Sequence, residues 1–270
     1  MLHITFTLNA LLMVAMPVIL CFLLARRFGA GWGLAGVGAL TFIGSQVVHL
    51  PLLWGLDYFV DRFVPIPEEW GLLFNAVVLG LLAGLCEEVA RYIVYRRFIP
   101  SARTWKQALM FGAGHGGIEA IILGVLAGLT LANMLVLRNM DLTTLPNVPA
   151  DQLPLLQQQV ADFWSAPWYL TLLGAVERVF ALCFHLSATV LVLQAFTRHN
   201  VRWLIAAILW HAVIDGVAVF FVGTWGPYWT EGAIGIMAVF SLGIIVALRD
   251  SGRGAAVSES ASTGATGSVK

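Results

Sequence analysis

Charged residues are scarce in this chain of 270 residues. Only 11% are Asp, Glu, Lys or Arg, against about 25% in a typical soluble domain, while 59% are hydrophobic. This balance excludes an ordinary soluble fold and predicts a protein that crosses a lipid bilayer several times. The 15 basic residues equal the 15 acidic ones, so the chain also lacks the basic surplus typical of nucleic-acid binding, and we expect no nucleic-acid partner.

Cysteine and processing signals are also sparse. Cys21, Cys86 and Cys183 lie in apolar runs without the spacing of a metal site, so we interpret them as packing residues. No basic segment precedes the first apolar run, and no obvious small-residue cleavage site follows it, so we interpret that run as a retained span rather than a signal peptide. The sequence shows no extended internal repeat.

Seven apolar segments are long enough to cross about 30 Å of hydrocarbon. They are Ile4–Leu24, Trp32–Leu53, Trp70–Tyr95, Ala108–Leu137, Trp168–Phe196, Trp203–Phe221 and Tyr228–Leu248. We therefore predict an all-α, polytopic membrane bundle of about seven transmembrane helices, forming a single domain over residues 1–250 with a catalytic core at about 70–222. Residues 251–270 are mostly Gly, Ser, Ala and Thr, which predicts a disordered cytoplasmic tail.

Lysine and arginine alternate between the loops. The basic loops follow spans one, three, five and seven, with Arg26, Arg27, Arg96, Arg97, Arg103, Lys106, Arg198, Arg202 and Arg249 among their residues. The positive-inside rule then places the N-terminus outside and the C-terminus in the cytoplasm. In the segment before span five, Leu153–Trp164 is predicted to form a short helix at the membrane interface.

Ionisable residues inside the spans are the strongest functional signal, because a charge at membrane depth costs several kcal/mol and rarely occurs without a role. They are Glu87, Glu88 and Arg91 in span three, His115 and Glu119 in span four, Glu177, Arg178 and His185 in span five, and His211 and Asp215 in span six. At about 1.5 Å per residue, four helices place a carboxylate or imidazole about 13–20 Å from their cytoplasmic ends. The sequence therefore predicts that these groups meet at one level.

Imidazole and carboxylate are ligands that zinc prefers. His115, His185 and His211 are candidate ligands, with Glu119 or Asp215 as a fourth ligand or as a partner of one, and Glu87 or Glu88 as the base. Arg91 shares a helix face with Glu87 and can pair with it. The same residues could also act without metal, with a glutamate and a histidine positioning water and a second histidine with Asp215 stabilising the oxyanion.

Spans three and four, which contain Glu87 and His115, are rich in glycine. Gly80-x-x-x-Gly84, Gly112-x-x-x-Gly116 and Gly124-x-x-x-Gly128 allow helices to approach closely. The run from Gly112 to Gly117 is denser than helix packing needs, and it would let another helix or a peptide come near His115.

These motifs together resemble the YhfC family of intramembrane metalloproteases, which is similar to PrsW and to the larger CAAX-processing and bacteriocin-processing group. They are Glu87-Glu88-x-x-Arg91, Phe111-x-x-x-His115-Gly-Gly-x-Glu119, Glu177-Arg178 with His185, and His211-x-x-x-Asp215. The likeness covers about Gly80 to Gly216. One departure is that the larger group usually has one more residue between its glutamates and its arginine.

The resemblance implies a multi-pass protein of a bacterial or archaeal plasma membrane that cleaves peptide bonds of a membrane protein or peptide. It assigns Glu87 or Glu88 to water activation, and His115, His211 and Asp215 to the metal or oxyanion shell. Two other functions stay open: a proton- or ion-coupled transporter, since buried Glu, His and Asp also form proton relays, and a non-catalytic scaffold that kept the site. Site depth favours access from the cytoplasmic side, but about 15 Å is near mid-bilayer, so access from either side is possible.

Overall fold

A computed structural model describes residues 1–145, 148–149 and 151–249. Within these ranges the chain is all helical, and seven helices are long and apolar enough to cross a membrane, as predicted. The α-helices are α1 (Leu2–Phe28), α2 (Trp32–Phe63), α3 (Glu68–Arg97), α4 (Trp105–Arg138), α5 (Leu153–Ser165), α6 (Leu173–Thr197), α7 (Arg202–Trp225) and α8 (Pro227–Ala247). The predicted tail at 251–270 lies outside the described residues.

Two helix boundaries differ from the hydropathy pattern. Helix α2 continues about ten residues beyond Leu53, so its 32 residues span about 48 Å and exceed the hydrocarbon thickness. The apolar run ends where the polar residues begin, but the backbone hydrogen bonds of the helix continue beyond it. Helix α6 begins at Leu173 rather than Trp168, because a short 3-10 turn at Leu170–Leu172 precedes it.

Local signals explain where the helices around the site begin and end. Thr104 and Gln107 form a capping box at the start of α4, in which each side chain accepts a hydrogen bond from the backbone N–H of the other. Gly29 ends α1 with φ 65°, a left-handed conformation that glycine adopts without strain. Arg96 and Arg97 lie in the last turn of α3, where cations favour the helix dipole.

Helices α4 and α6 form the centre of the bundle. In the most apolar 18 residues of α6, 72% of the positions are buried, against 33% or less in each of the other spans. Helix α4 packs on α1, α2 and α6, while α3 packs mainly on α7, and α8 covers α6 and α7. The predicted site residues lie on α3, α4, α6 and α7, and these four helices pack around the same part of the bundle interior.

Helix α5 confirms the predicted helix over Leu153–Trp164 and extends it to Ser165. None of its residues is buried. Phe163 packs on Phe6 of α1, with ring centroids 5.1 Å apart, and the Arg138 guanidinium lies 4.5 Å from the centre of the Trp164 ring. The helix is therefore held against the bundle through its aromatic side chains, and its location at the membrane interface stays a prediction.

Candidate metal and catalytic centre

Glu87 is the carboxylate that joins three helices. Its Oε2 lies 3.0 Å from Nε2 of His115 on α4, and its Oε1 accepts a hydrogen bond of 3.1 Å from Nε2 of Gln46 on α2. Arg91, one turn along α3, places Nη2 3.7 Å from the same Oε2. Glu87 is 5% exposed, so its charge is balanced by these neighbours rather than by bulk water.

Glu88 faces a different set of partners, although it is the next residue in the chain. Its Oε1 accepts hydrogen bonds from the Arg91 guanidinium and, at 2.7 Å, from Nδ1 of His211 on α7. The other ring nitrogen of His211 lies 3.3 Å from Oδ2 of Asp215. Glu88, His211 and Asp215 therefore form a carboxylate–imidazole–carboxylate row between α3 and α7.

His185 of α6 connects the two parts. Its Nδ1 lies 2.7 Å from Nη2 of Arg91, and its Nε2 lies 2.6 Å from Oε2 of Glu119 on α4. Glu119 also accepts a 2.5 Å hydrogen bond from Arg178, which binds Glu177 as well. A carboxylate on the far nitrogen of a histidine is the usual way in which proteins fix the orientation of a metal-binding imidazole.

All of the residues predicted to form the site lie in one connected network, although no contact tests their individual roles. They are Glu87, Glu88, Arg91, His115, Glu119, His185, His211 and Asp215. Gln46 was not predicted from the sequence, because an uncharged amide in an apolar span stands out less than an ionisable residue does. Its signal was present: Gln46 is a polar residue in an apolar run, three positions before His49, whose Nδ1 lies 3.2 Å from its Oε1.

The group best placed to hold a metal ion is Glu87, His115 and His185, whose ligand atoms all lie within 4.8 Å of one another. Two imidazoles and one carboxylate are a known ligand set of catalytic zinc sites, which keep a further position open. Nδ1 of His115 and Oε2 of Glu88 are buried without hydrogen-bond partners among the described residues. The three residues of the group could hold a metal ion if Nδ1 of His185 exchanged its contact with Arg91 for the ion.

This metal group differs from the one proposed from sequence. It includes Glu87, which we had considered as the base, and it does not include His211, whose two ring nitrogens face Glu88 and Asp215 and whose role as a metal ligand stays a prediction. Glu119 contacts a histidine of the group rather than joining it. Sequence spacing could not separate these arrangements because it fixes the face of each helix but not its rotation against the others.

A pocket reaches this centre from one side. It offers about 90 Å³ to the centres of water molecules, which is several times the minimum for one water. Glu87, Glu119, His185, His211 and Asp215 all line it. The pocket extends toward the N-terminal ends of α6 and α8, which is the end opposite the basic loops, whereas the depth of the site had favoured the cytoplasmic side.

Glycines explain how the helices come close enough. A Cβ atom at Gly84 of α3 would lie 3.1 Å from Cβ of His211, and one at Gly116 of α4 would lie 2.8 Å from Cβ of His185. The distance at Gly116 is shorter than real Cβ atoms show, and the distance at Gly84 is tighter than nine in ten real Cβ contacts. The first two glycine pairs thus place α7 on α3 and α6 on α4, whereas Gly128 has nothing within 4 Å of that position.

Comparisons with known proteins agree with this architecture. The family model described as YhfC intramembrane metalloprotease matches residues 12–236. A protein of Bacillus subtilis (strain 168), described as an uncharacterised membrane protein YhfC, is 30% identical over 213 residues, which cover 76% of this chain and 80% of that protein. No solved structure was found to match the chain significantly. With a family match across most of its length, this chain belongs to the YhfC intramembrane metalloprotease family.

Proposed function

We propose that this protein is an intramembrane endopeptidase that hydrolyses peptide bonds of membrane-associated proteins or peptides. The observation that carries the proposal is the Glu87–His115 pair, with 3.0 Å between Oε2 and Nε2, beside a pocket large enough for water. Peptide hydrolysis needs a group that takes a proton from water, and a carboxylate held by an imidazole beside a water-sized pocket can serve as that group. Family membership supports the same activity.

Glu87 is the residue proposed to activate water. It lines the pocket, whereas Glu88 is fully buried and does not. In the metal-free form of the mechanism, a water held by Glu87, whose Oε2 is oriented by His115, attacks the peptide carbonyl, forming a C–O bond while its proton moves to the carboxylate of Glu87. When the tetrahedral intermediate collapses, the C–N bond breaks and Glu87 returns the proton to the leaving amine, so the carboxylate is regenerated.

His211 and Asp215 occupy the α7 wall of the pocket. The Asp215 side chain is 38% exposed and lies beside Nε2 of His211. That nitrogen is placed to donate a hydrogen bond to the oxygen that gains charge during attack, while Glu88 holds the ring through Nδ1. Glu88 and Arg91 are therefore proposed as positioning residues, because their contacts lie behind the groups that face water.

Glu87, His115 and His185 are the residues that would hold zinc. When bound there, zinc would acidify the attacking water and polarise the scissile carbonyl. Glu119 would fix the orientation of the His185 ring, since its Oε2 lies 2.6 Å from Nε2. The guanidinium of Arg91 balances the negative charge of both adjacent glutamates, which is needed when two carboxylates share a dry interior.

Family membership favours the peptidase over a proton- or ion-coupled transporter. A transporter with alternating access also closes one side of its site at a time, so closure on one side fits both functions. Here the positions one turn from the site toward the basic loops are fully buried and mostly apolar, with Tyr95, Phe111 and Ala207 each at most 1% exposed. Only a measurement of proteolytic activity distinguishes the peptidase from a non-catalytic scaffold.

The proposal is tested by identifying protein N- and C-termini in membranes by mass spectrometry. Membranes that contain the wild-type protein are compared with membranes that contain Glu87→Gln, which keeps the shape of the side chain and removes its charge. We expect new protein termini with the wild type that are absent with Glu87→Gln. Glu69→Gln, at an exposed position in the first turn of α3, is the matched control and should retain them. The same termini from Glu87→Gln as from the wild type would disprove the assignment.

A further inference from the structure

A second, larger cavity lies directly beside the catalytic pocket. It offers about 430 Å³, within the size range of ligand-binding pockets. The two cavities share Glu177, Ala218 and Ile234 as lining residues. They are therefore neighbouring parts of one passage between α6, α7 and α8, which we call the entry passage.

The entry passage runs along the bundle in one direction. His185 lies 12 residues inside the start of α6, whereas Glu177 lies four inside it, and Leu170 precedes it. On α7 the lining residues follow the same order toward the C-terminal end, from Asp215 through Ala218 to Val222. At about 1.5 Å per residue, the passage extends about 15–20 Å from the site to the helix ends opposite the basic loops.

The other side of the site is closed by packing. Tyr95 and Phe111 lie one turn from Arg91 and His115 toward the basic loops, and their rings contact each other edge to face with centroids 5.0 Å apart. Both are at most 1% exposed and belong to the main apolar cluster, together with Val190 and Ala207. We call these four residues the apolar floor. A substrate therefore has no route to the site through this floor.

One acidic side chain in the outer part of the passage, that of Glu231, forms no ion pair with any residue that the structure describes. Glu177 is paired with Arg178, but Oε2 of Glu231 on α8 is buried and has no hydrogen-bond partner in the part of the chain that the structure describes. The wall around it is largely apolar, with Leu173, Val219 and Val222 among its residues. A carboxylate in such surroundings favours a cationic partner with an aliphatic stem, as in lysine or arginine.

We infer that the entry passage admits the substrate from the face opposite the basic loops, and that Glu231 is a specificity-determining residue that binds a lysine or arginine side chain of that polypeptide. The nature of the occupant rests on the proposed peptidase function, but the route and its charge preference do not. By the positive-inside rule, this face is the extracytoplasmic one.

Thiol labelling tests the route without any need for proteolysis. In a chain whose three native cysteines are replaced by alanine, Ala218→Cys lines the passage, Ser101→Cys marks the basic-loop face, and Ala207→Cys lies in the apolar floor. Membrane-impermeant thiosulfonates are added to one face at a time. We expect Ala218→Cys to react from the face opposite the one that labels Ser101→Cys, and Ala207→Cys to stay unreactive. Reaction of Ala218→Cys only from the Ser101 face would overturn the inference.

The same position tests the charge preference. A cationic trimethylammonium-ethyl thiosulfonate should react with Ala218→Cys faster, relative to an anionic sulfonatoethyl reagent, than it does with a free thiol. Glu231→Gln should lower this ratio about fivefold, since one charge is removed from the passage. Glu69→Gln removes an acid at the same face outside the passage and should leave the ratio unchanged. A ratio insensitive to Glu231→Gln would refute the role of Glu231, whatever the outcome of the cleavage experiment.

Discussion

Gly116 of α4 lies directly against the imidazole of His185 on α6. A Cβ atom at Gly116 would be 2.8 Å from both Cβ and Cγ of that histidine, closer than real side chains approach. His185 in turn contacts Arg91 and Glu119 through its two ring nitrogens. The absence of a side chain at one position therefore sets where a central histidine of the candidate metal group can lie.

Gly116→Ala should displace His185 and disturb the site with little change in the rest of the bundle. Overpacking of this kind costs about 1–3 kcal/mol, and misplacing a ligand should weaken zinc binding about 10- to 100-fold. The affinity for zinc is measured by titrating the purified protein in detergent. Gly128→Ala is the control, since nothing lies within 4 Å of the added atom, and it should bind zinc like the wild type. Equal zinc affinity in both variants would contradict the packing argument.

Glu87 and Glu88 should respond differently to the same substitution. Glu87→Gln removes the carboxylate proposed to accept the proton, and cleavage should fall at least about 1,000-fold. Glu88→Gln removes a partner of His211 and Arg91, and we expect a smaller loss of about 10- to 100-fold. Single-turnover cleavage of a substrate identified by proteomics, in proteoliposomes, compares the two. If Glu88→Gln were the more damaging variant, the roles would have to be exchanged.

Metal content gives an independent measurement. The candidate group predicts about one zinc per chain, the stoichiometry of a single catalytic site. Elemental analysis of the purified protein should show this zinc lost in His115→Ala and His185→Ala. His199→Ala, at an exposed position after α6, should keep it. A wild-type protein that is active without metal would instead support the metal-free mechanism, in which a glutamate and a histidine position the water and a second histidine with Asp215 stabilises the oxyanion.

Gln46 is expected to position Glu87 rather than to take part in the reaction. Its hydrogen bond of 3.1 Å fixes one oxygen of that carboxylate from the side of α2. Gln46→Leu keeps the size of the side chain and should lower kcat about fivefold to tenfold with little change in KM, as expected for the loss of one hydrogen bond. Ser45→Ala is the neighbouring control, because Ser45 donates only to the carbonyl of Phe42 in its own helix. A change in KM alone would indicate a role in substrate binding.

The sequence was sufficient for the spans and for the ionisable residues of the site, because both depend on local properties. Hydropathy over about 20 residues identifies a span, and the cost of burying a charge makes residues such as Glu87 and His211 conspicuous. Membership of one network could also be anticipated, since the depth of each residue can be counted along its helix.

The partners within the network could not be predicted from sequence. Glu87 and Glu88 differ by about 100° around α3, but only the packed bundle shows which of them faces His115 and the pocket. His211 was expected to bind metal, but only the packed bundle shows that its ring lies between Glu88 and Asp215. The direction of the pocket was also hidden, because it depends on which neighbours fill the space above and below the site.

The apolar floor formed by Tyr95, Phe111, Val190 and Ala207 has a consequence for the energetics of the cell. A water-filled cavity with acids and imidazoles halfway through a bilayer offers a ready path for protons to leak across an energised membrane. Packing that keeps four side chains dry beneath the cavity means that its water equilibrates with a single compartment. The proposed hydrolysis can then proceed inside the membrane while the electrochemical gradient across it is preserved.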